Sequence, residues 1–236
     1  MKVNQHYSFS NDTLSFTREK SSAFAKEVAG DFNPIHDPDA RRFCVPGDLL
    51  FAALLDLFQA REKMEFEFEQ MVDERVALTV TTTEDGFSLS SGDKQYLSVR
   101  CSGDSVRSDT ANTALIDAYV KFSSQTFPFL LVDLMQKNKV MINPQRPMVF
   151  YRSMSLALED TSCENFELSF TESSLLASGK KGEVVLKFDI VSGDQIVGKG
   201  QKNVLLGGLR AYDQSVIDDL VSEYNQIKTR YLQQHP

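Results

Sequence analysis

The segment Gly30-Asp31-Phe32-Asn33-Pro34-Ile35-His36 brings a carboxylate, an amide, a turn-forming ring and an imidazole together. Asp, Asn, Pro and His at these offsets arise by chance only about once in two thousand chains of this length at average residue usage. Asn33-Pro34 favours a turn, because the ring disfavours helical geometry at the preceding residue and fixes its own φ. A turn there brings Asp31 and His36 to face one volume. A carboxylate and an imidazole sharing a water form a general acid/base pair, in which Asp31 takes a proton from the water and His36 orients it or passes a proton on. Adding water across a polarised double bond needs both operations. The same residues also suit plain turn chemistry, with Asp31 capping the turn, Asn33 bonding its own backbone and His36 packed as a satisfied side chain.

The elements that must position this segment form a pattern that runs twice. In the first run, Tyr7, Phe9, Leu14 and Phe16 make a short alternating stretch, the motif follows, and residues 49–58 form a helix apolar on nearly all faces, hence buried. Strand composition then recurs at 63–72, 75–83, 87–91, 96–103 and 114–122, with glycine turns between several of them. The second run has an apolar helix at 127–136 and strands at 148–158, 166–172, 183–191 and 195–206, the last two joined by the hairpin signal Ser192-Gly193-Asp194. Residues 213–233 carry apolar side chains at helical spacing, and Asp213 or Ser215 can cap this amphipathic helix, laid on the body or on a partner. The expected class is α+β in two units, 1–123 with the motif and 124–236 with the C-terminal helix, each an antiparallel sheet on one buried helix.

Composition narrows the partners. The 236 residues are 42% apolar and 25% charged, as folded domains are, and the formal charge of −8 disfavours a nucleic-acid or anionic-membrane surface. The first residues lack the apolar core of a secretory signal, and the most apolar runs are about half a membrane span in length. Cys44, Cys101 and Cys163 are odd in number and widely spaced, which fits reduced thiols in the cytoplasm. Three histidines, at 6, 36 and 235, cannot assemble a histidine-rich metal site, and no nucleotide-binding glycine motif is present.

The stretch GDFNPIH resembles the D-x-N-P-x-H signature of the MaoC-like (R)-specific enoyl-CoA hydratases, hotdog proteins whose motif lies in a loop overhanging the central helix. As a whole the chain resembles an uncharacterised bacterial protein family carrying that motif. The first resemblance implies a double hotdog, with Asp31 and His36 as the catalytic pair of a hydratase-type lyase and Asn33 supporting the site. It implies a coenzyme A thioester as substrate, no other cofactor and no metal, and a monomeric double hotdog or a homodimer. The thioester oxygen would meet backbone N–H groups at the start of the central helix, where Gly47 lets a ligand approach and Asp48 adds a carboxylate. Asp48 also suits a helix cap. The chain departs from the family in having Pro46-Gly47 where His-Gly is expected, a shorter stretch after His36, and the motif in its first half. Those departures keep open a non-catalytic hotdog module that binds acyl-CoA, a fatty acid or a protein partner. Lys180, Lys181, Lys199 and Lys202 read either as solvated residues or as neighbours of the coenzyme's phosphates.

Overall fold

The computed structural model describes residues 2–124 and 126–235, and of Phe129 the backbone alone. A single turn at Val3–Gln5 leads into a small hairpin, β1 (Ser8–Ser10) and β2 (Thr13–Ser15), turned by Asn11 and Asp12 in the left-handed region. Helix α1 (Arg18–Ala23) starts where the Thr17 side chain accepts the Lys20 N–H, continues through a wider turn at Phe24–Val28, and stops before Gly30 at φ 59°. Glycine reaches that conformation without the strain a Cβ brings. The motif loop follows, and then α2 (Gly47–Phe58), in which every residue from Leu49 to Leu55 is buried. Its uniform apolarity has the cause expected from sequence: packing on all sides leaves no solvent face.

Four strands come next, β3 (Arg61–Phe68), β4 (Leu78–Thr83), β5 (Gly86–Ser91) and β6 (Lys94–Ser105). Residues 114–122, expected to be a strand, instead lie inside α3 (Asp109–Ser123). The Ser108 side chain accepts the Ala111 N–H to start this helix, and Ala111, Leu115, Ile116, Tyr119 and Phe122 share a buried stripe. Strand-like composition therefore yields to a helical cap and a helical period.

The stretch 127–136 also differs from its expectation. A wide turn at Thr126–Leu130 precedes a short α4 (Leu131–Lys137), in which Leu131, Leu134 and Met135 are buried while Asp133 is exposed. It is a one-sided helix. Then come β7 (Val140–Met141), β8 (Met148–Leu158), β9 (Glu167–Ser178), β10 (Lys181–Ser192), β11 (Gln195–Gly207), β12 (Arg210–Ala211) and α5 (Gln214–Gln234), capped by Asp213.

The protein is a mixed α/β structure built on one ten-stranded antiparallel sheet, ordered β1-β2-β4-β5-β6-β3-β8-β11-β10-β9. The seam is the β3–β8 pair, running from Lys63 opposite Ala157 to Glu67 opposite Ser153. One apolar core gathers α2, α3 and side chains from both sides of the seam, such as Phe66 and Met154. A second forms under the far ends of β9, β10 and β11 with α4 and Ile217 of α5. The C-terminal helix thus packs on its own chain.

Candidate active site

Backbone hydrogen bonds shape the motif loop before any chemistry is asked of it. The Asp31 N–H donates to the Ala25 carbonyl at 2.7 Å, the Asn33 N–H to Asp31 Oδ1 at 2.9 Å, and the Ile35 N–H to Asn33 Oδ1 at 3.2 Å. Pro34 then opens a single 3-10 turn, Pro34–His36. Asp31 and Asn33 therefore do act as turn residues, but Asp31 spends one oxygen on the turn. Its other oxygen, Oδ2, lies 3.5 Å from His36 Nε2.

His36 is 8% exposed, and its Nδ1–H donates to the Cys44 carbonyl at 2.7 Å. A carbonyl only accepts, so Nδ1 keeps its proton and Nε2 is the nitrogen left to exchange one. Burial depresses the imidazole's pKa. The bond and charge of Asp31 outweigh it, helped by the Cys44 carbonyl and the charge of Asp48, and leave it above its ordinary value.

Asp31, Asn33, His36, Gly47 and Asp48 all line one cavity of about 250 Å3. Its apolar walls include Val45, Leu50, Phe68, Ile142, Val149 and Phe150. At one side stands the first turn of α2. The Leu49 and Leu50 N–H groups both donate to the Pro46 carbonyl, so the N–H groups of Gly47 and Asp48 precede the first intrahelical bond.

Asp48 does not cap this helix. Pro46 holds the N-cap position, where its ring offers no acceptor, and Asp48 lies inside the first turn with its carboxylate turned elsewhere. Its Oδ1 accepts the Tyr119 hydroxyl at 2.7 Å and the Tyr151 hydroxyl, its Oδ2 accepts the Ser123 hydroxyl at 2.6 Å, and Lys202 Nζ stands 3.5 Å away. Lys202 donates to Ser123 Oγ at 2.6 Å and lies 4.0 Å from the Tyr151 ring centroid. Burial opposes the Asp48 charge, yet Lys202 and the three hydroxyls hold its carboxyl below the usual range. Burial pulls the Lys202 ammonium down, and it pushes both phenols well up, so they remain donors. The Gly47 position is likewise filled, since a Cβ there would sit 2.8 Å from Tyr151 Cδ2.

Lys202 corrects the reading of that lysine as solvated: it is 3% exposed, whereas Lys180, Lys181 and Lys199 are exposed. The signal was present in the strand period, because Lys202, Val204 and Leu206 share one face of β11 and the last two are plainly apolar. Tyr224 of α5 was missed as a site residue because it is one of several apolar stripe positions. Its hydroxyl donates to the Gly30 carbonyl at 3.0 Å and accepts the Phe32 N–H at 3.2 Å, and its ring lines the cavity.

Among the described residues no group of three His, Cys, Asp or Glu is placed to hold a metal, and no helix is long and apolar enough to cross a membrane. Residues 1–215 match the family model described as "Protein of unknown function (DUF3581)", and the chain belongs to that family. A comparison with curated proteins gives no match. The structure is similar to an acyl-CoA thioesterase II TesB2 from Mycobacterium marinum, with 9% identity and a TM-score of 0.46 over 87% of this chain and 96% of that one. It is also similar to a MaoC-like dehydratase, with 10% identity and a TM-score of 0.41 over 86% and 98%. An acyl-ACP thioesterase from Bacteroides thetaiotaomicron VPI-5482 matches at 12% identity and a TM-score of 0.36 over 68% and 90%.

Proposed function

We propose that the chain is a double hotdog that adds water to the double bond of an enoyl thioester, carried by coenzyme A or a carrier protein, or removes it in reverse. The strand orders on the two sides of the seam support the architecture. Outward from the seam one side reads β3-β6-β5-β4, with β2 and β1 beyond, and the other reads β8-β11-β10-β9, so the β3–β8 pair joins the first strands of two four-strand runs with the same order. Such a joint satisfies inside one chain the pairing that single hotdogs find in a second copy.

One observation carries the chemistry: Asp31 Oδ2 and His36 Nε2 stand 3.5 Å apart on the wall of a largely apolar cavity, with His36 Nδ1 locked to a backbone carbonyl. In the hydration direction Asp31 Oδ2 takes a proton from water as its oxygen bonds to C3 of the substrate. The His36 imidazolium gives its Nε2 proton to C2. Transfer of the proton from Asp31 to His36 then restores both groups. The negative charge that develops on the thioester oxygen falls to the Gly47 and Asp48 N–H groups and the helix dipole. A carboxylate at this helix start would repel an enolate, and the Lys202 ammonium 3.5 Å away offsets that charge. Asn33 holds the turn that sets Asp31 and His36 in register.

Incubation with a short trans-2-enoyl-CoA in water enriched in heavy oxygen tests this reading. The label should enter the 3-hydroxyl of the product, and Asp31→Asn should prevent it. Acyl-CoA binding that persists unchanged in Asp31→Asn and His36→Ala, with no label incorporated by any form, would mark a binding module instead.

A further inference from the structure

Helix α5 buries only Ile217 and Tyr224 among its described residues, so filling the core explains little of its length. Ile217 anchors its first turns on the second core. Tyr224 does something more specific. The Gly30 carbonyl and the Phe32 N–H belong to the two peptide groups that flank Asp31, and one phenol oxygen binds both, at 3.0 Å and 3.2 Å. Rotation about φ or ψ of Asp31 turns one of these peptide planes and breaks its bond. The Tyr224 ring is itself held edge-on by Phe32 and Phe127, with centroids at 6.1 Å and 5.1 Å. Two turns further on, Tyr231 repeats the contact with the same region, donating to Glu27 Oε1 at 2.8 Å and packing 5.7 Å from Phe32.

We propose that Tyr224 is a positioning residue: through it α5 straps the motif loop and fixes the aim of the Asp31 carboxylate at His36. The assignment rests on the reading of Asp31 and His36 as the working pair. Burial and then the charge of Asp31 push the Tyr224 phenol up to about 12, so it keeps the proton it donates to Gly30 at neutral pH. Tyr224 touches no reacting atom in this scheme. It acts by holding a group whose displacement by about an ångström can cost about a hundredfold in rate.

His36 offers a readout that needs no substrate. The chain has three histidines, at 6, 36 and 235, so the titration of each ring can be followed by NMR, with the other two as references. The groups facing the His36 ring are Asp31, the Cys44 carbonyl and, from α2, the charge of Asp48. Asp31→Asn should lower the His36 midpoint and so define the full effect of losing that partner. Tyr224→Phe, which removes one oxygen and keeps the ring, should lower it in the same direction. Tyr231→Phe, which loses only the Glu27 bond, should leave it in place. On enoyl-CoA, Tyr224→Phe should lower kcat about tenfold or more with little change in KM.

A Tyr224→Phe midpoint equal to wild type, while Asp31→Asn shifts, would overturn the strap and spare the hydratase reading. A shifted midpoint in a protein that hydrates no enoyl-CoA would support the strap and overturn the hydratase. No shift in either variant would overturn both. If Tyr224→Phe does not fold, hydrogen exchange in the wild-type chain decides: the Phe32 amide should exchange as slowly as the amides of α5 around Tyr224, and exchange at the rate of a free loop amide would overturn the proposal.

Discussion

Asp48 and Lys202 stand 154 positions apart in sequence and 3.5 Å apart in space, an ion pair that fastens the first turn of α2 to the inner face of β11. Tyr119, Tyr151 and Ser123 complete the shell around it. Removing one partner strands the other charge in a low-dielectric site. Lys202→Met should therefore cost about 3–5 kcal/mol of stability. The double variant Asp48→Asn with Lys202→Met should lose less than Lys202→Met alone. Urea denaturation of the two proteins measures the difference.

The His36 imidazole titrates above its ordinary 6.5 in the folded chain. Its protonation thus favours folding, a contribution fully present below 6.5 and lost as pH rises through the higher folded value. Wild type should lose more stability than His36→Gln between about pH 6 and about pH 8. Urea midpoints at the two pH values check this, and parallel losses in both proteins would count against the pairing with Asp31.

Gly47 is required by a neighbour. A Cβ at this position meets Tyr151 at Cδ2, Cγ and Cβ, the root of a half-buried side chain whose hydroxyl is tied to Asp48, so it cannot swing away cheaply. Gly47→Ala should destabilise the chain by about 1–3 kcal/mol. It should also disturb the Tyr151 hydrogen bond to Asp48. Thermal unfolding gives the first effect, and a change in tyrosine ultraviolet absorption gives the second.

The cavity, at about 250 Å3, is smaller than common ligand pockets of about 300–1,000 Å3. Short acyl chains should therefore be the better substrates. Val149→Phe, which adds a ring to the cavity wall, should shorten the longest chain accepted while leaving the shortest turned over. A series of enoyl-CoA substrates of rising length tests both statements.

Much of the frame was legible from residue pattern. The apolar run at 49–58 read as a buried helix, and the Ser192-Gly193-Asp194 turn marked the hairpin of β10 and β11. Residues 114–122 misled because Ile, Tyr, Val and Phe suit a strand, while the cap that makes the stretch helical is Ser108, outside it. GDFNPIH located the loop, since its turn chemistry is local and needs no tertiary contact. Lys202 and Tyr224 depend instead on which side chains the sheet seam and the last helix carry to the loop. That long-range pairing leaves only a periodicity trace in the chain.

The most direct measurement is the steady-state hydration of short enoyl-CoA thioesters by wild type, Asp31→Asn and His36→Ala, followed by loss of the conjugated thioester's ultraviolet absorption. Turnover by wild type that falls at least about a hundredfold in each variant is the predicted result, in line with the usual weight of a general acid or base. No turnover above buffer at any chain length, or turnover that both variants retain, would contradict the account.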